Sequence, residues 1–178
     1  FYAHSPNIQD LYLIYQIEQG IVDKKITIDD FQADRINKEL DVLKYISDAN
    51  DQPMSGYLNL VKRIEDVIWK SSVIGVSGGS AMSFYINYLI GIVQANPLQY
   101  NIDYWRFLNK ARSGVGNYPD VDIDIAPSQT DVIMDLLKEH FGENRVINCA
   151  TFKTESLKSA VLTSARGMGL NNDEAQAL

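Results

Sequence analysis

The chain has 178 residues, of which 46% are hydrophobic and 22% are charged, as in an ordinary globular protein with one full core. Sixteen basic against 23 acidic residues give a net charge of −7, which argues against nucleic-acid binding as the main task of an isolated domain. The single cysteine, Cys149, excludes an internal disulfide and a cysteine-built metal site, and favours a reducing compartment. No apolar run approaches the roughly 20 residues of a membrane span. Because the chain begins at Phe1 and not at Met, we expect it to be a piece of a longer protein.

Three amphipathic helices are predicted in the first part of the chain, at about 7–20, 28–48 and 57–71. Apolar residues recur there at three-to-four spacing, which is typical of helices with one buried face. In the second helix this apolar face comprises Phe31, Ile36, Leu40, Leu43 and Ile46. The loop between the last two helices, 49–56, is rich in turn-forming residues. We interpret the three helices as scaffold.

The segment 71–93 is predicted to form a short apolar strand, a glycine–serine turn and an apolar helix. A helix entered through Gly78, Gly79 and Ser80 would offer free backbone N–H groups and the positive end of its dipole to an anion. No Gly-Lys-Ser/Thr follows, so this is not a Walker A loop. Taken alone, the pattern fits an ordinary turn better than a phosphate site. An acidic strand further along the chain strengthens the phosphate interpretation.

Two arginines, Arg106 and Arg112, stand six residues apart just before that acidic strand. The planar guanidinium group can clamp a phosphate through two hydrogen bonds. Surface arginines paired with acidic residues are an equally good interpretation of the spacing. We predict that the neighbouring Tyr104 and Trp105 belong to the core.

The sequence PDVDIDI, residues 119–125, alternates Asp120, Asp122 and Asp124 with aliphatic residues. This period of two is typical of a β-strand that buries one face, so we predict a strand with three carboxylates on its other face. Neighbouring like charges destabilise such a face unless a cation neutralises them. Carboxylates are ligands of Mg²⁺, and two metal ions about 4 Å apart are the usual device for nucleotidyl transfer. A solvated acidic edge strand is the alternative.

The remaining segments are predicted to be structural. Ser128, with Asp131 in a capping box, is expected to begin a helix that Gly142 ends after Phe141, and His140 at its end is assigned a structural role. A strand is predicted at about 145–152. Thr154 is then expected to begin a helix that carries Lys158 and Arg166, and a last helix opens at Asn171.

The order and spacing of several short motifs resemble those of the C-family replicative DNA polymerases, the bacterial DNA polymerase III α subunit. The motifs are RINKEL (35–40), SGYLNLV (55–61), GGS (78–80), LIGI (89–92), NPL (96–98), RFLN (106–109), PDVDID (119–124) and TFKT (151–154). The resemblance extends from about Arg35 onward and is that of a divergent, phage-type member.

This resemblance implies an α/β (α+β) fold: a polymerase-β-like nucleotidyltransferase palm at 1–150, with flanking helices, and the start of a helical thumb at 151–178. It implies that Asp120 and Asp122 are the main metal ligands and that Asp124 supports them in catalysis. Nucleotide binding is implied for four residues: Gly79, Ser80, Arg106 and Arg112.

The implied activity is that of a DNA-directed DNA polymerase, which transfers a nucleotide from a dNTP to a primer 3′-hydroxyl with two Mg²⁺ ions. Primer–template DNA would be bound with help from Lys158 and Arg166. A sliding clamp and other replisome proteins would be partners through parts outside this chain. The implied location is the cytoplasm of a bacterium or of a phage-infected host. Template preference, fidelity and processivity are not implied.

Two positions depart from the family pattern. Gly78 stands where the family has arginine, and 126–129 (APSQ) replaces acidic and basic residues. The family's third metal-binding aspartate follows its thumb, so we expect it after Leu178 and expect this fragment alone to be inactive. A non-catalytic replisome scaffold and a metal-dependent phosphohydrolase are the alternative functions.

Overall fold

The computed structural model describes residues 5–76, 78–112, 118–150 and 154–177. The α-helices in these segments are α1 (Ile8–Asp23), α2 (Asp30–Asn50), α3 (Met54–Trp69), α4 (Tyr85–Ile90), α5 (Thr130–Phe141), α6 (Leu157–Gly167) and α7 (Asn172–Gln176). Short 3-10 helices lie between them, at Ser80–Ser83, Pro97–Tyr100, Tyr104–Arg106, Lys110–Arg112, Pro127–Gln129 and Glu143–Arg145. The chain divides into two compact units, Phe1–Val146 and Ile147–Leu178.

Local signals explain where the first helices begin. The side chain of Asn7 accepts a hydrogen bond from the Gln9 N–H at the start of α1. Asp29 and Gln32 form a reciprocal capping box at the start of α2, which satisfies two backbone donors that the helix itself leaves free. The predicted helices in this part of the chain are confirmed, with boundaries shifted by a few residues.

The larger core is formed where α1, α2, α3 and α4 pack together. Its fully buried side chains include Leu13, Leu43, Leu58, Phe84, Ile86 and Leu89. Helices α1 and α4 approach each other closely, because a Cβ on Gly20 would lie less than 3.0 Å from the Leu89 carbonyl oxygen. Only glycine fits at that contact. The apolar face predicted for α2 is partly wrong, because Phe31 is 63% exposed.

The predicted α/β palm is wrong for this structure. The described residues are mostly helical and contain no strand or sheet, and their only β-type pairing is one antiparallel bridge between Ile74 and Ile125. Period-two alternation indicates an extended backbone with one buried face, and a helical surface can cover that face as well as a sheet can. The alternation of 119–125 therefore predicted the burial pattern correctly, but the strand predicted from it does not form.

Two further predictions about local structure need correction. The helix expected to begin at Ser128 starts at Thr130, and no side-chain cap forms there, because the preceding Pro127–Gln129 segment turns as a 3-10 helix. Gly142 does end this helix, with φ of +106°. No strand forms within 145–150, and the rest of that predicted strand, with most of the TFKT motif, lies outside the described residues.

The second unit, Ile147–Leu178, contains the helices α6 and α7. Its helix α6 is capped by Ser156, whose side chain accepts from the Ser159 N–H, and not by Thr154 as predicted. Asn171 and Glu174 form a capping box at the start of α7. The assignment of this region as the start of a thumb stays a prediction. Among the described helices of the whole chain, none is both long and apolar enough to cross a membrane.

Candidate functional site

The aspartate segment runs extended along the surface of the first unit. Asp120, Asp122 and Asp124 are exposed, whereas the aliphatic residues between them are partly buried. Val121 packs against the larger core, and Ile123 and Ile125 pack against a smaller cluster of Ile68, Ile74 and Ile133. The segment therefore spans two apolar clusters and presents its carboxylates on the opposite face.

Both ends of this segment are held by neighbouring elements. The Tyr57 hydroxyl on α3 donates to the Pro119 carbonyl oxygen, and the Tyr57 ring stacks on Tyr118 with ring centroids 5.5 Å apart. Burial, with a smaller contribution from the negative charge of Asp120, raises the pKa of Tyr57. At the other end the Gly75 N–H donates to the Asp124 carbonyl oxygen at 2.8 Å. These contacts fix the aspartate segment without a sheet.

The glycine–serine turn packs directly against the aspartate face. Gly79 has φ of +68° and ψ of −158°, a conformation open in practice only to glycine. A Cβ on Gly79 would lie less than 3.0 Å from Asp122 Oδ2, and a Cβ on Gly78 would lie 3.8 Å from Asp124 Oδ2. The structure thus brings together the two halves that the sequence suggested, the turn and the carboxylates.

A cleft of about 370 Å³ lies beside this contact. Three predicted site residues line it, Ser80, Arg106 and Asp120, and all three are exposed. The other lining residues are Phe107, Leu108, Asn109, Tyr118 and Pro119. A guanidinium group, a hydroxyl and a carboxylate therefore face one cavity, which suits a ligand with an anionic part and a bound cation.

Three other predicted site residues lie in the second unit or have side chains outside the described residues. The side chain of Arg112 lies outside the described residues. Lys158 and Arg166 lie on α6 of the second unit, where Lys158 is exposed and Arg166 donates to Asn172 Oδ1 at 2.6 Å. Trp105 is 54% exposed, so its assignment to the core is wrong.

The donor set fits a hard divalent cation held by few protein ligands. Asp120 and Asp122 offer exposed carboxylate oxygens next to the cleft and the turn, and Asp120 forms no ion pair with a described residue. No group of three or more His, Cys, Asp or Glu residues in the described part of the chain could enclose a metal. Mg²⁺ is usually held by one or two carboxylates together with water and phosphate oxygens, so two aspartates are enough.

The sequence reasoning missed one buried ion pair near the site. Arg35 and Glu39 on α2 are paired at 2.6 Å, with side-chain exposures of 11% and 0%. The sequence did contain a signal for this pair, because an arginine and a glutamate stand four residues apart on a helix face that also carries core residues. Such a pair is common on helix surfaces, so spacing alone could not show that this one is buried.

We expect that Gly79→Ala destabilises the fold and displaces Asp122. Alanine at φ +68° and ψ −158° costs about 1–3 kcal/mol of backbone strain, and its Cβ collides with the Asp122 carboxylate. Gly142→Ala is the matched control, because Gly142 also has a positive φ but its Cβ would approach only the flexible Arg145 side chain, at 3.9 Å. Thermal unfolding should show a larger loss for Gly79→Ala than for Gly142→Ala. Equal losses would contradict the close contact with Asp122.

Comparison with known proteins identifies the family. Residues 12–178 match the model of the bacterial DNA polymerase III alpha NTPase domain. The chain is 39% identical over 187 aligned residues to the probable DNA polymerase YorL of Bacillus subtilis (strain 168), covering 99% of this chain. The DNA-directed DNA polymerase of Bacillus phage SPbeta gives the same values. The DNA polymerase III subunit alpha of Thermus aquaticus is 30% identical over 105 residues, which is 59% of this chain and 8% of that protein.

The chain spans 14% of the length of the Bacillus subtilis and phage SPbeta relatives. Their similarity nevertheless extends over almost all of this chain, and the family match includes the glycine turn, the arginine segment and the three aspartates. The chain belongs to the bacterial DNA polymerase III alpha family, within the region described as its NTPase domain.

Proposed function

We propose that the protein containing this chain is a template-directed DNA polymerase and that this chain contributes part of its nucleotide and metal site. The observation that carries the proposal is the packing of the Asp122 carboxylate against Gly79, beside a cleft lined by Ser80, Arg106 and Asp120. Relatives named as DNA polymerases support the reaction class.

In this proposal Asp120 and Asp122 hold Mg²⁺, and Asp124 supports them from the same face. The remaining ligands would be water, nucleotide phosphates and groups outside the described residues. When bound, the metal supplies a lowered pKa for the primer 3′-hydroxyl and neutralises charge on the transferred phosphate. The aspartates themselves would orient the ion, and the glycine turn packs against Asp122.

The nucleotide triphosphate is assigned to the same cleft. Arg106 is exposed there and can donate two parallel hydrogen bonds to phosphate oxygens, while Ser80 offers a hydroxyl and Gly79 a closely approachable backbone. Arg112 is proposed as a second phosphate ligand on the basis of its place in the sequence. Because Gly78 brings no charge, the triphosphate should depend on these arginines more than in relatives with arginine at this position.

The remaining assignments extend the proposal to DNA. Lys158 and Arg166 on α6 are proposed to contact phosphates of the primer–template, since both are cationic and lie on the same helix. A sliding clamp and other replisome proteins are proposed as partners of the full-length protein.

The products of a reaction with dNTPs test the proposed function. The full-length protein is incubated with primer–template DNA, the four dNTPs and Mg²⁺, and primer length and phosphate products are followed together. We expect the primer to grow according to the template, with one pyrophosphate released per nucleotide added. Release of inorganic phosphate without primer growth would indicate a phosphohydrolase instead. If neither product forms, the protein is a non-catalytic relative and the proposal is wrong.

A further inference from the structure

The Arg35 side chain makes three hydrogen bonds that converge from different parts of the first unit. Its Nη2 donates to the Ser83 carbonyl oxygen at 2.5 Å and to the Ile102 carbonyl oxygen at 2.9 Å. Its Nε donates to Glu39 Oε1 at 2.6 Å. One nitrogen therefore joins two backbone segments that are distant in sequence.

Each of these two segments leads to a residue that lines the candidate cleft. Ser83 ends the 3-10 helix that begins at Ser80, and the Ser83 hydroxyl donates back to the Ser80 carbonyl oxygen at 2.7 Å. Ile102 precedes the 3-10 helix Tyr104–Arg106, which ends at the cleft residue Arg106. A change in the position of the guanidinium group would therefore change the distance between Ser80 and Arg106.

Glu39 holds the guanidinium group in place from the buried side. Its carboxylate accepts the backbone N–H groups of Tyr85 and Ile86, each at 2.8 Å, in addition to the bond from Arg35. Because Glu39 is fully buried and contacts all three donors, its carboxylate has no alternative partner in solvent. The arginine is thus fixed relative to the start of α4.

Two contacts with aromatic rings support the same arrangement. The guanidinium carbon of Arg35 lies 5.4 Å from the ring centroid of Tyr104, in the helix that carries Arg106. The rings of Phe84 and Phe107 meet edge to face at 5.3 Å, joining the residue after Ser83 to the residue after Arg106. The polar and aromatic contacts together link the segment of Ser80 to the segment of Arg106.

We propose that Arg35 is a positioning residue that sets the distance between Ser80 and Arg106, and through it the affinity of the cleft for the triphosphate of a dNTP. The inference rests on the proposed function. Arg35 is not itself assigned a contact with the nucleotide, because its Nε and Nη2 donors are engaged by Ser83, Ile102 and Glu39.

A positioning role and a purely stabilising role predict different kinetics. If Arg35 only stabilises the fold, its variants should lose thermal stability while the correctly folded fraction keeps the dNTP KM. If Arg35 sets the distance between Ser80 and Arg106, the dNTP KM should rise even in protein that is fully folded. Small misplacements of binding groups have large effects on how well a site holds its substrate. The affinity for primer–template DNA should not change in that case.

The test compares Arg35→Lys and Arg35→Gln in the full-length protein. Lysine keeps the charge beside Glu39 but lacks the planar fork that reaches two carbonyls, whereas glutamine loses the charge too. Lys38→Gln is the matched control, because Lys38 lies on the same helix in an exposed pair with Asp34. Steady-state dNTP kinetics, DNA binding and circular dichroism are measured on each protein.

We expect the dNTP KM to rise about fivefold for Arg35→Lys and about tenfold or more for Arg35→Gln, with DNA affinity and the Lys38→Gln control unchanged. An unchanged dNTP KM in folded Arg35→Lys would overturn the inference while leaving the proposed function intact. Loss of folding in Arg35→Lys would also overturn it, since the arginine would then serve stability. A wild-type protein that does not extend a primer would instead refute the proposed function, and this inference with it.

Discussion

Replacing Asp122 with asparagine is expected to reduce primer extension by the full-length protein about 10²–10³-fold or more, the usual cost of removing one preorganised charged group from an active site. Asparagine has the same size and keeps one oxygen, but it loses the negative charge with which Asp122 is proposed to hold Mg²⁺. Because Asp122 packs against Gly79, an isosteric change preserves the shape of that contact. The loss should therefore appear in kcat without a loss of folding.

Asp135→Asn is the control for this prediction. Asp135 is an exposed aspartate on α5, so the same chemical change there removes an equal charge away from the cleft. Single-turnover extension with saturating dNTP and DNA separates the chemical step from binding. Equal rates for wild type and Asp122→Asn would show that this carboxylate takes no part in the reaction.

Replacing Glu39 with alanine is expected to lower the free energy of unfolding by about 3–5 kcal/mol, the usual cost of breaking a buried ion pair by removing one partner. The substitution leaves the Arg35 charge 11% exposed without its carboxylate, and it leaves the N–H groups of Tyr85 and Ile86 without their acceptor. Urea unfolding of the chain at pH 8 measures this loss. Asp34→Ala, which breaks the exposed pair with Lys38 on the same helix, should change stability little.

The pH dependence of the free energy of unfolding gives a second test of the burial of the Glu39 carboxylate. Burial raises the pKa of Glu39 to about 7, against the hydrogen bonds from Ile86, Tyr85 and Arg35, which lower it. A raised pKa means that the folded state holds a proton more tightly than the unfolded chain does, so stability falls as pH rises through about 7. The unfolding free energy of the wild type minus that of Glu39→Gln should therefore decrease from pH 5 to pH 8. A constant difference would contradict the burial of an ionising carboxylate at this position.

The sequence predicted the burial pattern of the aspartate segment but not its secondary structure. Alternation depends only on which side of an extended chain faces a core, and Val121 and Ile123 do face one. A sheet also needs neighbouring strands that pair along their backbones. The residues around Ile74 supply a single bridge, and helices cover the rest of the buried face.

The proximity of the turn and the carboxylates was predicted from chemistry, because phosphate and metal ligands are needed together. What the sequence did not show was the close contact between Gly79 and Asp122, which depends on an unusual backbone conformation. The hydrogen bonds of Arg35 across the fold were also missed. Its partners Ser83 and Ile102 lie 48 and 67 residues away, and they are backbone carbonyls, which carry no signal in a sequence.

The most direct test of the central claim is metal binding at the aspartate face beside the glycine turn. Mn²⁺ binding to the full-length protein is titrated by electron paramagnetic resonance in the presence of dNTP, for wild type, Asp122→Asn and Asp135→Asn. Removing a ligand charge should weaken the binding of at least one Mn²⁺ by about tenfold or more in Asp122→Asn only, with Asp135→Asn matching wild type. Identical titrations for all three proteins would mean that the exposed carboxylates next to Gly79 do not form the metal site.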